Sequence, residues 1–116
     1  MPREIYLVGP SPVTLPELVR AGAEIDGQLQ LRALHEGAAV QLVDAAGAAV
    51  LTIDNSRLLE SAADAVRVTR GLSAAAAPTW WTEISCPWGE NGATGVAIAR
   101  QLALVTGSSI QVEEGL

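Results

Sequence analysis

The first part of the chain contains an apolar run followed by an amphipathic stretch. Residues 5–8 are apolar or aromatic and stop at Gly9-Pro10, a pattern that predicts a short buried strand. Thr14 and Glu17 then have the spacing of a capping box, and apolar residues recur behind them at intervals of three and four. These positions predict a helix that begins at Thr14 and ends at Asp26-Gly27.

The pattern changes to a period of two in the middle of the chain. Apolar and polar residues alternate from 28 to 33, and the turn-forming residues His35-Glu36-Gly37 follow. Two more strands are predicted at residues 39–43 and 49–53, separated by residues 44–47, a connection of hairpin length that ends in glycine. The three strands should form a meander.

The C-terminal half completes a single α+β domain that covers residues 1–116. The composition and turn signals predict, in order, a short helix (62–70), a strand (79–84), a loop (86–92), a helix that is apolar around most of its circumference (93–106) and a closing strand (109–112). The element order is β-α-β-β-β-α-β-α-β, with a right-handed crossover joining the last two strands. We therefore expect a mixed, largely antiparallel sheet with helices packed on it.

The net charge of the chain limits the kinds of partner that it is expected to bind. The 116 residues include thirteen carboxylates and seven basic side chains, which give a net charge of −6. Such a surface repels nucleic-acid phosphates and anionic membranes, so we expect neither as a partner. A basic protein is a more natural partner for this chain.

The sequence shows no signal for export or membrane insertion. No apolar run reaches the roughly 18 residues of a membrane span, since Arg100 and Gln101 interrupt the most apolar stretch. The N-terminus has neither the apolar region nor the cleavage site of a signal peptide. The lone Cys86 cannot form an internal disulfide, which suits a reducing compartment. We therefore predict a cytoplasmic location.

The residues offer no complete catalytic or metal-binding set. Cys86 and His35 are predicted on different elements, and Cys86 lacks the second cysteine of a redox motif. One histidine and one cysteine are too few for a convincing zinc site. We predict that Cys86 is a small buried apolar residue and that His35 is a polar turn residue. The sequence thus favours binding over enzymatic catalysis, without a cofactor or metal.

An anion site at the last helix is the alternative. Gly89, Gly92 and Gly95 lie between a strand and the start of that helix, where backbone N–H groups can hold an anion. Their spacing is not that of a dinucleotide-binding motif, and Glu90 adds a negative charge there. A tight turn is the favoured interpretation. A small enzyme or ligand-binding domain that uses residues 86–95 stays open as the second function.

The tryptophans indicate where a protein partner could bind. Trp80 and Trp81 are neighbours on a predicted strand, so their side chains point to opposite faces, and Trp88 follows in the loop. Tryptophan is enriched among the residues that dominate interface energies. The candidate partner-binding residues are Trp81, Glu83, Trp88 and Glu90.

Three segments resemble small immunity proteins of bacterial polymorphic toxin systems. They are residues 6–18 (YLVGPSPVTLPEL), residues 40–44 (VQLVD) and residues 79–83 (TWWTE). The resemblance implies a cytoplasmic protein that binds the toxin domain of its cognate effector and blocks the toxin's active site. A tryptophan anchor and the surrounding carboxylates would then cover a basic cleft. A third possibility is a structural subunit that assembles through an exposed sheet edge.

Overall fold

The computed structural model describes residues 3–59 and 79–113. Their elements are β1 (Arg3–Gly9), α1 (Leu15–Ile25), β2 (Gln30–Leu34), β3 (Ala39–Val43), β4 (Ala49–Asp54), β5 (Arg57–Leu59), β6 (Thr79–Cys86), α2 (Glu90–Thr106) and β7 (Ser109–Val112). The predicted helix at 62–70 lies outside the described residues. The short strand β5 was not predicted, because three residues are too few to show a period of two.

The described strands form one sheet in the order β2-β3-β4-β6-β1-β7, with β5 paired to β6 beyond the end of β4. All of these pairings are antiparallel. The predicted α+β class with a largely antiparallel sheet is therefore confirmed, as is the meander of β2, β3 and β4. A single 3₁₀ turn at His35–Gly37 joins β2 to β3.

The last helix connects strands that are not neighbours. Strands β6 and β7 both run antiparallel to β1 and lie on either side of it, so they are parallel to each other. Helix α2 links them across one face of the sheet. It begins at Glu90, earlier than the predicted residue 93, and ends before Gly107, whose left-handed conformation confirms the predicted C-terminal cap.

The main core lies between the sheet and the two described helices. Its most buried side chains come from every second position of the strands and from one stripe of each helix: Ile5, Leu7, Leu18, Leu42, Leu51, Ile84, Ile98 and Leu102. The predicted capping box starts α1, because Thr14 and Glu17 exchange side-chain to backbone hydrogen bonds. Within the described ranges, no helix has the length and apolar character needed to cross a membrane.

Candidate functional site

The face of the sheet opposite the helices carries mainly polar side chains, and we call it the open face. The strand register aligns five of its residues in one row, in the order Arg32, Gln41, Thr52, Ser85 and Glu4. The Arg32 guanidinium donates to the Gln41 side-chain oxygen, and Gln41 Nε2 donates to Thr52 Oγ1 at 3.0 Å. The row thus changes from basic on β2 to acidic on β1.

An aromatic pair supports the middle of the open face. Tyr6 of β1 and Trp81 of β6 stack with their ring centres 4.9 Å apart. Trp81 is only 2% exposed and packs with Val8. Its indole Nε1 donates a 3.1 Å hydrogen bond to Glu83 Oε1. The buried indole therefore orients the Glu83 carboxylate at the surface.

Three carboxylates surround a shallow depression in the open face. Glu4, Asp54 and Glu83 line a volume of about 180 Å³ together with neighbours that include Thr52 and Ser85. The three acids come from β1, β4 and β6, so only the folded sheet brings them together. Carboxylates that share one concave surface make its potential negative.

A hydrogen bond to Glu4, partial burial and nearby carboxylates raise the pKa of Tyr6. The Tyr6 hydroxyl donates to Glu4 Oε2 at 2.5 Å. This bond, together with partial burial and the charges of Glu4, Glu113 and Glu83, raises the pKa of Tyr6 well above its ordinary value. Ionisation would place another negative charge among the carboxylates, so the neutral phenol is favoured.

Arg57 partly offsets the charge of Glu83. Its Nη2 lies 3.2 Å from Glu83 Oε1, and the two side chains are 65% and 43% exposed. Water screens an ion pair this exposed, so it contributes at most about 1 kcal/mol to stability. Breaking this ion pair would therefore cost little free energy of folding.

The four predicted partner-binding residues fall in two places. Trp81 and Glu83 lie on the open face, where Trp81 is buried and supports Glu83 from behind instead of standing out as an anchor. Trp88 is 47% exposed in the loop after β6, with the Arg3 guanidinium 4.5 Å from its ring centre. Glu90 is exposed in the first turn of α2. Only Trp88 thus offers an exposed indole from this set.

Most residues of the acidic depression were not predicted from the sequence. Glu4, Tyr6 and Asp54 were not among the predicted site residues, although Glu4 and Tyr6 alternate with the buried Ile5 and Leu7. That alternation could have assigned them to the face away from the helices. Their proximity to Asp54 and Glu83 depends on strand order, which the alternation does not contain.

The glycines before and within α2 have packing roles. A Cβ on Gly92 would lie 1.6 Å from the Pro87 carbonyl oxygen, and one on Gly95 would lie 2.3 Å from the Val50 carbonyl oxygen. Gly89 adopts a φ of 95° at the N-cap, a conformation that favours glycine. These features support the turn interpretation, since close backbone packing accounts for Gly92 and Gly95 and a positive φ accounts for Gly89.

A side-chain bond ties the start of α2 to the β3–β4 hairpin. Asn91 Nδ2 donates to Asp44 Oδ2 at 3.0 Å and to the Ala49 carbonyl at 3.3 Å. The bond from Asn91, with backbone N–H bonds from Ala48 and its neighbours in the turn, holds the pKa of Asp44 below its ordinary value. The hairpin and the helix start thus form one connected structure.

Cys86 and His35 do not form a catalytic pair. Cys86 is 1% exposed in the core, and burial raises its pKa to about 11 against a smaller opposing effect of Arg3. His35 is exposed in the turn between β2 and β3 with a φ of 50°. Both structural predictions for these residues are confirmed. In the part of the chain that the structure describes, no three His, Cys, Asp or Glu side chains are grouped to hold a metal ion.

Comparison with protein-family models, with curated proteins and with solved structures finds no match to this chain. The fold and the chemistry of the open face therefore provide the basis for a functional proposal.

Proposed function

We propose that this protein is a cytoplasmic immunity protein that binds a cognate toxin domain and covers the toxin's active site. The observation that supports the proposal most directly is the acidic depression formed by Glu4, Asp54 and Glu83 on the open face. A basic cleft on a toxin domain has the complementary charge. Binding there would exclude the toxin's substrate sterically and electrostatically.

Preorganisation of Glu83 favours such binding. The Trp81 indole and the Arg57 guanidinium both donate to Glu83 Oε1, so the carboxylate is already oriented in the free protein. An oriented side chain loses less conformational entropy when a partner binds. Trp88 adds an exposed aromatic side chain near the end of β6, where it can fill a pocket on the partner.

The surroundings of Cys86 and His35 favour a binding protein over an enzyme. The Cys86 thiol is buried and its pKa is raised to about 11, which suppresses the reactive thiolate. His35 lies on an exposed turn of a different element. Backbone packing against Pro87 and Val50 accounts for Gly92 and Gly95, and a positive φ accounts for Gly89, so the glycines that suggested an anion site have structural roles.

Co-expression tests the proposal. This chain would be produced in cells together with the C-terminal domain of the protein encoded immediately upstream, and growth and co-purification would be followed. The proposal predicts that the domain alone stops growth and that the chain restores growth and purifies with it. Arrested growth with no complex, at equal protein levels, would contradict the proposal.

A double substitution then tests the loop after β6. Trp88→Ala with Glu90→Gln removes the exposed indole and one charge, so it should weaken toxin binding while thermal unfolding stays close to that of the wild type. Unchanged affinity would remove this loop from the interface and leave the depression of the open face as the binding surface.

A further inference from the structure

Strand β7 forms one edge of the described sheet. Among the described residues it pairs only with β1. The N–H of Glu113 donates to the Glu4 carbonyl at 2.7 Å, and backbone groups in an antiparallel strand alternate in direction. The N–H and C=O groups of Ile110 and Val112 therefore point away from β1, toward the outer edge. Such an edge can pair with an added strand.

The two sides of this edge differ in chemistry. On the helix side, Leu104 and Ile110 line an apolar groove of about 330 Å³ with Ala103, Ser108 and Arg100, and Leu104 is 78% exposed. On the open face, Gln111 lies beside Tyr6, and Glu113 follows next to Glu4. An added strand would meet an apolar surface on one side and carboxylates on the other.

We infer that β7 binds an extended segment of the partner whose residues alternate between apolar and basic. This inference rests on the proposed function for the identity of the partner. The apolar residues would pair with Ile110 and Val112 and enter the groove beside Leu104. The basic residues would lie on the open face near Glu113 and Glu4. Arg100 in the groove disfavours the reverse orientation, since it would repel a basic side chain there.

The opposite edge, β2, does not fit the same segment. It also borders an apolar groove, of about 350 Å³, lined by Val19 and Leu31 among others. However, Arg32 lies on the open face of β2, while Asp26 lines the groove. A strand that placed basic residues on the open face would meet a like charge at β2 and opposite charges at β7. The charge pattern thus selects β7.

A peptide titration tests the inference without the toxin. A short peptide of alternating valine and lysine would be added to the isotope-labelled full chain, and amide signals and amide exchange would be followed by NMR. We expect shifts across 109–113 and slower exchange of the Ile110 and Val112 amides. A peptide of alternating valine and glutamate should bind at least about tenfold more weakly. Leu104→Glu should abolish binding of the lysine peptide, whereas Leu31→Glu, the matched change at β2, should not.

Several outcomes would overturn the inference: no binding of the lysine peptide, equal binding of the two peptides, or shifts centred on β2. Further results distinguish a failure of the β7 inference from a failure of the proposed function. A wild-type chain that neutralises the toxin while Leu104→Glu binds it equally well removes β7 from the interface but leaves the immunity function. Peptide binding at β7 with no protection from the toxin leaves the edge site and removes the immunity function.

Discussion

Replacing Gly92 with alanine should destabilise the protein, because α2 begins against the backbone of the preceding loop. The new Cβ would lie 1.6 Å from the Pro87 carbonyl oxygen, far inside any ordinary contact, and the obstacle is backbone that no side-chain rotation can remove. The loop or the first turn of α2 must move by well over an ångström. That movement also strains the Asn91 bonds to Asp44 and Ala49.

Two opposing contributions determine the expected loss in the free energy of unfolding. Forcing extra volume into a packed site typically destabilises by about 1–3 kcal/mol, and a contact this short belongs at the upper end. Alanine recovers up to about 1 kcal/mol through its higher helix propensity. We therefore expect a net loss of about 2 kcal/mol, measured by urea unfolding followed by tryptophan fluorescence, and a melting midpoint lower by about 8 °C.

Gly27 provides the matched control for this substitution. A Cβ at Gly27 would meet nothing within 4 Å, and its φ lies outside the left-handed region. Gly27→Ala should therefore be neutral or stabilising by up to about 1 kcal/mol. If Gly92→Ala unfolds at the same urea concentration as the wild type, the helix start is not packed on Pro87. Packing would then no longer explain Gly92, and an anion-binding role for these glycines would again be the alternative.

The buried thiol and the lone tyrosine give further predictions. Cys86 should resist a water-soluble disulfide reagent in the native protein and react fully in urea, because the thiol is buried and its pKa is raised to about 11. Rapid labelling of the native protein would contradict this prediction. Glu4→Ala should lower the pKa of Tyr6 in an ultraviolet titration, since the bond to Glu4 is the largest cause of the raised pKa; an unchanged titration would refute that cause. Because the Tyr6 pKa is higher in the folded than in the unfolded protein, its contribution to stability should be constant from neutral pH to about pH 10 and should decline above about pH 10. Urea midpoints of wild type and Tyr6→Phe should therefore converge or cross only in strong alkali.

Local patterns were sufficient to predict much of the fold. The strict alternation before His35 and the hairpin spacing after Val43 indicate the meander, and the Thr14 and Glu17 pair marks the start of α1. Strand β5 was not predicted, because its three residues are too few to show a periodic pattern. The position of β1 between β6 and β7 arises from long-range pairing, which local periodicity does not encode.

The candidate site was less predictable than the fold. Because Trp80 and Trp81 are adjacent on a strand, their side chains point to opposite faces of the sheet. Burial of Trp81, however, depends on its stacking partner Tyr6, which is distant in sequence. Glu83 was among the predicted partner-binding residues, whereas Glu4 and Asp54 were not, since only the strand order brings the three carboxylates to one depression. Single charged residues are common on any protein surface, so only the tertiary structure shows which of them are grouped into a site.

The most direct test of the acidic open face is calorimetric titration of the proposed toxin partner, the purified C-terminal domain of the protein encoded upstream, with two charge-matched triple variants. Glu4→Gln with Asp54→Asn and Glu83→Gln neutralises the depression while keeping hydrogen-bond acceptors. Glu17→Gln with Glu24→Gln and Glu36→Gln removes the same charge from α1 and the β2–β3 turn. The first variant should bind the domain about ten- to a hundredfold more weakly than the wild type, and the second should bind it nearly as well as the wild type. Equal affinities of the two variants would show that the carboxylates of the open face do not contact the toxin.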